Sequence, residues 1–319
     1  MADSPQSLET LRPANPDTSL RRAAQQIAEA QSGVPVIEAF FDEATFTASY
    51  VVWDGETRAA AIIDSVLDYD PASGRTETTS AEAIAAYVEK HGLSVEWLLE
   101  THAHADHLSA APWLQHRFGG RIAIGEHIVT VQKTFGALFN AGADFARDGS
   151  DFDRLFADGD GFRIGGLDVT VLHVPGHTPA CVAYVIGDAV FVGDTMFMPD
   201  YGTARADFPG GDAAQLFRSL RRILALPPNT RLFMCHDYLP QGRATYQWES
   251  TVGAQREGNV HAHDGVSEAD FVAMREQRDA TLAVPRLILP SVQVNMRAGH
   301  LPPPESNGVT YLKMPVNAL

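Results

Sequence analysis

The stretch LLETHAHADHLSAAPWL, residues 98–114, crowds three histidines and an aspartate between an apolar run and a run with helical spacing. These four residues are His102, His104, Asp106 and His107. A tight loop after a strand can aim them at one point, whereas residues two positions apart on a helix face away from each other. Neutral imidazole and carboxylate ligands suit zinc, iron or manganese. The stretch therefore predicts a metal site, and the alternative is a polar loop whose histidines face solvent.

Three later stretches also place a polar residue at the end of an apolar strand. They are VLHVPGHT with His177, VFVGDT with Asp194, and LFMCHDY with His236. Open α/β sheets bind their ligands at the carboxyl ends of strands. We therefore expect these residues and the histidine-rich stretch to converge at one edge of the core. A further pair, His261 and His263, follows no apolar strand and is interpreted as a loop that leads into a helix.

Composition restricts the classes of partner and the compartment. The 319 residues are 45% hydrophobic and carry a formal net charge of −16, which disfavours a nucleic-acid surface. No apolar run approaches the ~18 residues of a membrane span, and the N-terminus lacks the apolar segment of a secretory signal. The two cysteines, Cys181 and Cys235, are interpreted as buried small side chains in a reducing cytoplasm, with a redox role as the alternative.

The order of predicted elements indicates the domain organisation. Residues 1–34 are polar and rich in Pro, Ser and Ala, and we expect a loosely docked, partly helical N-terminal extension. Residues 35–319 alternate strand-like and helix-like patterns. They predict a single α/β (α+β) domain with two mixed sheets and outer helices, whose C-terminal tail lies near the site. Among the helices, residues 79–92 show helical spacing, with Ser80 as the expected cap.

The whole pattern resembles the metallo-β-lactamase fold superfamily over roughly residues 35–300. The residues that carry the resemblance are His102, His104, Asp106, His107, His177, Asp194 and His236. The resemblance implies an αββα sandwich of two mixed β-sheets flanked by helices, with a metal site at one edge between the sheets. The same fold carries lactamases, glyoxalase II, lactonases, nucleases and oxygenases, so it does not by itself define the reaction.

Two stretches narrow the resemblance to the bacterial type of the persulfide dioxygenase (sulfur dioxygenase) branch. They are GDTMFMPDYGTARADFPGGDA, residues 193–213, and the sequence that begins CHDY at residue 235. The Asp237–Tyr238 pair departs from the Glu–Tyr pair typical of glyoxalase II. Related bacterial members often carry cysteine where this chain has Ala206. A step that depends on that cysteine would be absent here.

In that branch one Fe(II) is held by two histidines and an aspartate. Carried onto this chain, the catalytic metal ligands are His102, His177 and Asp194. Such a triad leaves coordination positions open on one face, where sulfur and O2 can bind side by side. The resemblance then implies that the other motif residues orient ligands and waters through hydrogen bonds. These are His104, Asp106, His107 and His236.

The competing interpretation is a dinuclear Zn(II) site in a hydrolase of the glyoxalase II or lactonase type. Asp106, His107 and His236 would hold the second metal, Asp194 would bridge the two, and His104 would complete the first site. All of these ligand residues are present in the sequence. A third hypothesis is a sulfur-sensing or sulfur-carrying protein without turnover, against which the intact ligand set argues.

The resemblance implies that glutathione persulfide and O2 are converted to sulfite and glutathione. A separate rhodanese or a sulfide:quinone oxidoreductase would act in the same pathway, and a homodimer is expected because the family is often dimeric. Arg205, Tyr238 and Arg297 are candidate substrate-binding residues. Their respective alternatives are a salt bridge to Asp207, packing in the core and a surface position.

Overall fold

The computed structural model describes residues 16–29 and 33–318. In these ranges the chain forms two six-stranded β-sheets, a three-stranded sheet and eight α-helices. None of the helices in this part of the chain is long and apolar enough to cross a membrane.

The first sheet is built from residues 36–156. Its strands, in order across the sheet, are β1 (Val36–Asp42), β2 (Thr47–Trp53), β3 (Ala59–Ile63), β6 (Ser94–Leu99), β8 (Arg121–Gly125) and β9 (Arg154–Phe156). The first three pair antiparallel and the rest pair parallel, so the sheet is mixed. The small third sheet contains β5 (Arg75–Glu77), β4 (Val66–Asp70) and β7 (Leu108–Ser109).

The second sheet is built from residues 161–251. Its strands follow chain order across the sheet: β10 (Gly161–Ile164), β11 (Leu167–His173), β12 (Val182–Ile186), β13 (Ala189–Phe191), β14 (Arg231–Phe233) and β15 (Glu249–Thr251). Only the β13–β14 pair is parallel, so the carboxyl ends of these two strands lie at the same edge. A backbone bridge between Thr47 and His236 joins the two large sheets near that edge.

The helices lie outside the two large sheets. They are α1 (Pro16–Glu29), α2 (Thr79–His91), α3 (Ala111–Phe118), α4 (Ile128–Leu138), α5 (Ala213–Ile223), α6 (Val252–Gly258), α7 (Glu268–Asp279) and α8 (Ile288–Asn295). Buried residues of α2, α3, α4 and α8 pack on the first sheet, and those of α1, α5, α6 and α7 pack on the second. A third apolar layer between the sheets contains Tyr50, Tyr184 and Phe191. These layers confirm the predicted αββα sandwich.

The predicted helix at residues 79–92 forms, and Gly92 ends it in the left-handed conformation with φ 60°. The predicted cap at Ser80 is wrong, because the helix is preceded by Thr78. The hydroxyl of Ser80 donates instead to Oδ1 of Asp68 over 2.7 Å, which ties α2 to β4.

The helix in the N-terminal extension is packed more closely than the polar sequence suggests. Ser19 and Ala23 are fully buried, and the side-chain amide of Gln26 donates to the backbone carbonyls of Asp168 and Val185. The hydroxyl of Thr170 donates to that amide's oxygen over 2.7 Å. The polar glutamine therefore docks α1 on the second sheet. Residues 1–15 and 30–32 of the predicted extension lie outside the described residues.

Candidate metal centre

The polar residues singled out in the sequence meet at the edge shared by the two large sheets. His102 follows β6, His177 lies in the turn after β11, and Asp194 occupies a single 3-10 turn after β13. His236 follows β14. All four are buried, between 0% and 7% exposed. Their polar atoms therefore need partners among one another or in a bound ligand, because little water reaches them.

One group consists of His102, His177 and Asp194. The Nε2 atoms of the two histidines lie 3.8 Å and 3.6 Å from Oδ2 of Asp194. One potential ligand atom of each residue lies within 4.8 Å of those of the other two. This spacing places two imidazoles and one carboxylate around a common point, as a two-histidine-one-carboxylate site requires.

The opposite ring nitrogens of these two histidines are held by hydrogen bonds. Nδ1 of His177 donates to the backbone carbonyl of Arg205 over 2.8 Å. Nδ1 of His102 lies 3.0 Å from Oγ1 of Thr101, whose own proton goes to Asp64. The threonine oxygen must therefore accept from His102. Both Nε2 atoms consequently keep their lone pairs directed at Asp194, the arrangement found for metal-bound histidines.

A second group lies on the other side of Asp194. Nε2 of His236 is 3.3 Å from Oδ1 of Asp194 and 3.4 Å from Oδ2 of Asp106. Its Nδ1 donates to the backbone carbonyl of Phe46 over 3.0 Å. Nδ1 of His107 lies 3.1 Å from the same oxygen of Asp106. The two groups thus share Asp194, as the dinuclear alternative requires.

His104 is held by two buried carboxylates. Its Nε2 lies 3.0 Å from Asp64 and 3.2 Å from Glu100. Burial favours the neutral ring, but the charge of Asp64 and hydrogen bonds to both acids raise the pKa of His104 well above its usual value. Asp64 and Glu100 were missed by the sequence analysis. Asp64 directly follows the apolar strand β3, so the signal that revealed Asp194 was also present there.

Several ligand atoms of the centre are buried without a hydrogen-bond partner. They are Nε2 of His102, Nδ1 of His104, Nε2 of His107, Oδ1 of Asp194 and Nε2 of His236. Leaving a buried polar atom unpaired costs about 1–3 kcal/mol, so five together are costly unless a ligand satisfies them. Burial and the neighbouring histidines His104 and His177 hold the pKa of His102 well below its usual value, so it stays neutral and able to bind metal. These residues therefore fit a metal ion.

A cavity of about 340 Å³ opens onto the centre. His177 and Asp194 form part of its wall, and the aromatic rings of Phe46, Phe197 and Tyr238 form another part. The Tyr238 ring lies nearly parallel to that of His236, with ring centroids 5.5 Å apart. Burial, followed by the charges of the two site aspartates, raises the pKa of Tyr238 well above its usual value, so its hydroxyl remains a donor.

The two candidate substrate-binding arginines are placed differently. Arg205 lines the cavity, but its guanidinium pairs with Asp207 over 2.5 Å and 2.7 Å, the salt bridge named as the alternative. Arg297 is not brought to this cavity. It lies over the ring of Phe145, 4.0 Å from the centroid, and lines a separate groove beside the C-terminal tail. Residues 302–305 of the tail line the same groove, so Arg297 lies beside the tail and not at the metal centre.

Both cysteines are buried, as predicted. Cys181 contacts Oγ1 of Thr178 over 3.1 Å, and burial raises its thiol pKa to about 12. Burial likewise raises the pKa of Cys235 well above its usual value, although its sulfur lies within 4.8 Å of ligand atoms of Asp194 and His236. Neutral buried thiols are poor nucleophiles. This supports the interpretation of both residues as buried small side chains.

Comparison with known proteins identifies the family. Residues 43–236 match the metallo-beta-lactamase superfamily, and this chain belongs to it. The chain is 60% identical over 293 residues to a probable metallo-hydrolase of Burkholderia pseudomallei, covering 89% of this chain and 99% of the relative. It is 29% identical to the mitochondrial persulfide dioxygenase ETHE1 of Mus musculus, covering 89% and 96% of the two chains.

A solved structure extends the likeness. The crystal structure of ETHE1 from Myxococcus xanthus superposes with a TM-score of 0.66 at 28% identity, covering 83% of this chain and all of that one. The superfamily and its αββα fold are thereby confirmed for this chain, and the His/Asp cluster supports a metal cofactor.

Proposed function

We propose that this protein is an Fe(II)-dependent persulfide dioxygenase that oxidises glutathione persulfide with O2 to sulfite and glutathione. The observation that carries the proposal is the position of His102, His177 and Asp194, which converge on one point at the wall of a cavity. The likeness to the persulfide dioxygenase of Mus musculus over 89% of the chain supports the same assignment.

The donor set suits the proposed chemistry. Two neutral imidazoles and one carboxylate are the ligands of non-haem Fe(II) oxygenases. Bound there, Fe(II) would supply open coordination positions for a persulfide sulfur and O2, together with the electrons that activate O2. One persulfide, one O2 and one water yield one thiol, one sulfite and two protons, so the reaction needs no further reductant.

The chain's own residues would bind and orient the substrate. The hydrogen bonds from His102 to Thr101 and from His177 to the Arg205 carbonyl fix both imidazoles before substrate arrives. The rings of Phe46 and Phe197 limit the water that reaches the sulfur. The neutral hydroxyl of Tyr238 is available to donate a hydrogen bond to the bound persulfide.

The remaining polar residues would support this arrangement without binding iron. Asp106 accepts hydrogen bonds from Thr47 and from Nδ1 of His107 through the same oxygen that faces His236. This network holds Asp106 and both histidines beside Asp194. In the proposal they keep the carboxylate of Asp194 aligned with His102 and His177.

A dinuclear Zn(II) hydrolase of the glyoxalase II or lactonase type is the second candidate. Its specific support is that Nε2 of His107, Nε2 of His236 and Oδ1 of Asp194 are all buried and unpaired. A second metal would satisfy these atoms, and a metal-bound hydroxide would then be the nucleophile. The 60% identity to a probable metallo-hydrolase of Burkholderia pseudomallei points the same way.

Metal content and oxygen uptake distinguish the two candidates. We expect protein purified without added metal to contain about one iron per chain and to consume one O2 for each sulfite formed from glutathione persulfide. Reloading metal-free protein with Fe(II) should restore activity, whereas Zn(II) should not. Two zinc ions per chain and thioester hydrolysis without O2 uptake would overturn the proposal in favour of the hydrolase.

A further inference from the structure

A second cavity, of about 220 Å³, reaches the metal centre at His107. It lies between the turn after β1, the small third sheet and the residues just before α8. Part of its lining is shared with the first cavity, and the shared residues are Ala44, Thr45, Arg286 and Leu287. The first cavity is lined by His177 and Asp194 of the centre, whereas the second is lined by His107. The proposed reaction assigns no role to this second cavity.

The lining of the second cavity is acidic. Its carboxylates belong to Asp42, Asp68, Asp70 and Glu77, and its guanidinium groups belong to Arg75 and Arg286. Hydrogen bonds from Ser73 and Ala72, followed by the charge of Arg286, lower the pKa of Asp70. Four carboxylates against two guanidinium groups leave an excess of two negative charges. A cation is therefore attracted to this cavity.

The small third sheet places some of these carboxylates unfavourably close together. Asp68 of β4 directly opposes Glu77 of β5 in the antiparallel register. Asp70 lies two positions after Asp68, so its side chain leaves the strand on the same face. Like charges directly opposite each other destabilise a pair of strands. A bound cation would remove this cost, which favours a ligand of positive charge.

The inner carboxylates are oriented before any cation arrives. Asp42 accepts hydrogen bonds from the backbone N–H of Thr45 over 3.0 Å and from its hydroxyl over 2.6 Å. Asp68 accepts from the backbone N–H and the hydroxyl of Ser80 over 2.9 Å and 2.7 Å. Asp70 and Glu77 are exposed at the outside. The carboxylates thus extend from solvent to fixed positions within the cavity.

His107 gives the cavity a ligand at its inner end. The residue is 0% exposed, and its Nε2 has no hydrogen-bond partner among the residues that the structure describes. Its Nδ1 lies 3.1 Å from Oδ2 of Asp106, and that oxygen lies 3.4 Å from Nε2 of His236. A cation that reaches His107 is therefore next to Asp106 and, through it, to the rest of the metal centre.

We propose that the second cavity is the entry route of the divalent metal ion. Its carboxylates would capture the hydrated ion, and His107 would pass the ion to Asp106. Carboxylate and imidazole both bind Fe(II), Mn(II) and Zn(II), so the ion can exchange one ligand at a time. It would not have to pass the rings of Phe46 and Phe197 in the first cavity. This route would serve an iron or a zinc centre equally, so the proposal depends on the metal centre and not on the reaction.

The rate of metal uptake tests the entry route. Metal-free protein is mixed with Co(II) at low ionic strength, and the absorbance of the bound ion is followed by stopped flow. We expect Asp70→Asn/Glu77→Gln to slow uptake about tenfold, because lining charges that attract the ion are lost. Arg75→Gln removes a positive charge from the same lining and should speed uptake about threefold. In about 1 M NaCl, where the Debye length is ~3 Å, all rates should converge.

Two matched variants separate this route from a general effect of net charge. Glu257→Gln/Glu276→Gln removes two exposed carboxylates from α6 and α7, outside both cavities, and should load at the rate of the wild type. Asp70→Glu/Glu77→Asp keeps both charges and should also load normally. Equal rates for the wild type and Asp70→Asn/Glu77→Gln would overturn the route, as would equal slowing in the α6 and α7 variant.

The metal content at equilibrium distinguishes entry from retention. We expect elemental analysis after long incubation to give the same metal content for the wild type and Asp70→Asn/Glu77→Gln, because the candidate ligands are unchanged. A lower final content in this variant would assign these carboxylates to metal retention and overturn the route. If the loaded wild type consumes no O2 while the uptake rates differ as expected, the dioxygenase is overturned and the entry route is supported.

Discussion

Nε2 of His236 lies 3.3 Å from Oδ1 of Asp194, the oxygen opposite the one that His177 approaches at 3.6 Å. The two buried histidines therefore face different oxygens of the same carboxylate. If one iron binds at Oδ2, His177→Ala should abolish iron binding, while His236→Ala should retain most of it. Metal analysis of the two purified variants checks this. Equal metal loss in both would indicate a dinuclear site.

Gly176 sets the direction of the turn that carries His177. Its φ is +138°, and a Cβ there would overlap the backbone nitrogen and Cα of Leu216 in α5. We expect Gly176→Ala to lower the free energy of unfolding by about 3 kcal/mol and to reduce metal content, since backbone atoms cannot move aside cheaply. Urea unfolding and metal analysis measure both effects. Gly258→Ala is the control, because no atom lies within 4 Å of its added Cβ. Equal unfolding free energies for the two variants would refute the explanation by overlap with Leu216.

Asp64 organises the residues behind the metal ligands. It accepts hydrogen bonds from the backbone N–H of Thr101 over 2.7 Å and from the Thr101 hydroxyl over 2.8 Å, and it contacts His104 at 3.0 Å. Asp64→Asn should weaken metal affinity about tenfold or more, because Thr101, which orients His102, and His104 would lose their carboxylate partner. Competition with a metal chelator measures this. Asp168→Asn is the control, because Asp168 forms an exposed ion pair with Arg163, and it should leave metal affinity unchanged. An unchanged metal affinity in Asp64→Asn would contradict the prediction.

His261 makes the folded state sensitive to acid. Its Nδ1 accepts a hydrogen bond from the backbone N–H of Thr203 over 3.0 Å. Burial, followed by the positive charges of Arg275 and Arg278, lowers the pKa of His261 to about 4. An unfolded histidine has a pKa of about 6.5, so between these two pKa values the unfolded chain binds more protons than the folded chain. The stability from His261 is therefore present above about pH 6.5 and is lost as the pH falls toward about 4.

When the pH is lowered from about 6.5 to about 4, we expect the unfolding free energy of the wild type to fall by about 2 kcal/mol more than that of His261→Gln. Urea unfolding at a series of pH values provides the measurement. His263→Gln is the matched control, because His263 is exposed two positions away in the same loop. Parallel pH profiles for the wild type and His261→Gln would contradict this assignment.

The positions of the site residues could be read from the sequence where each one ends an apolar strand. His177, Asp194 and His236 share this local signal, and the structure brings them together. Asp64 carries the same signal after β3 and could have been found in the same way. The αββα layers followed from the alternation of strand and helix patterns together with the resemblance.

The surroundings of the site could not be predicted in this way. The segment 278–287 forms part of the cavity wall. Its position depends on long-range hydrogen bonds: Arg205 donates to the carbonyl of Ala283, and Arg275 donates to the carbonyl of Thr203. The carboxylate of Asp279 accepts from the backbone N–H of Ala206. No local pattern reveals such long-range anchors. For the same reason Arg297 was expected near the substrate, whereas packing against Phe145 directs it elsewhere.

The construction of the two large sheets from consecutive parts of the chain has a consequence for assembly. Residues 36–156 form one sheet and contribute His102, while residues 161–251 form the other and contribute His177 and Asp194. A bound metal would therefore link the two halves of the chain through its ligands, in addition to the apolar layer between the sheets. In a chain cut within residues 157–160, metal retention would report fragment complementation, since neither half holds a complete ligand set.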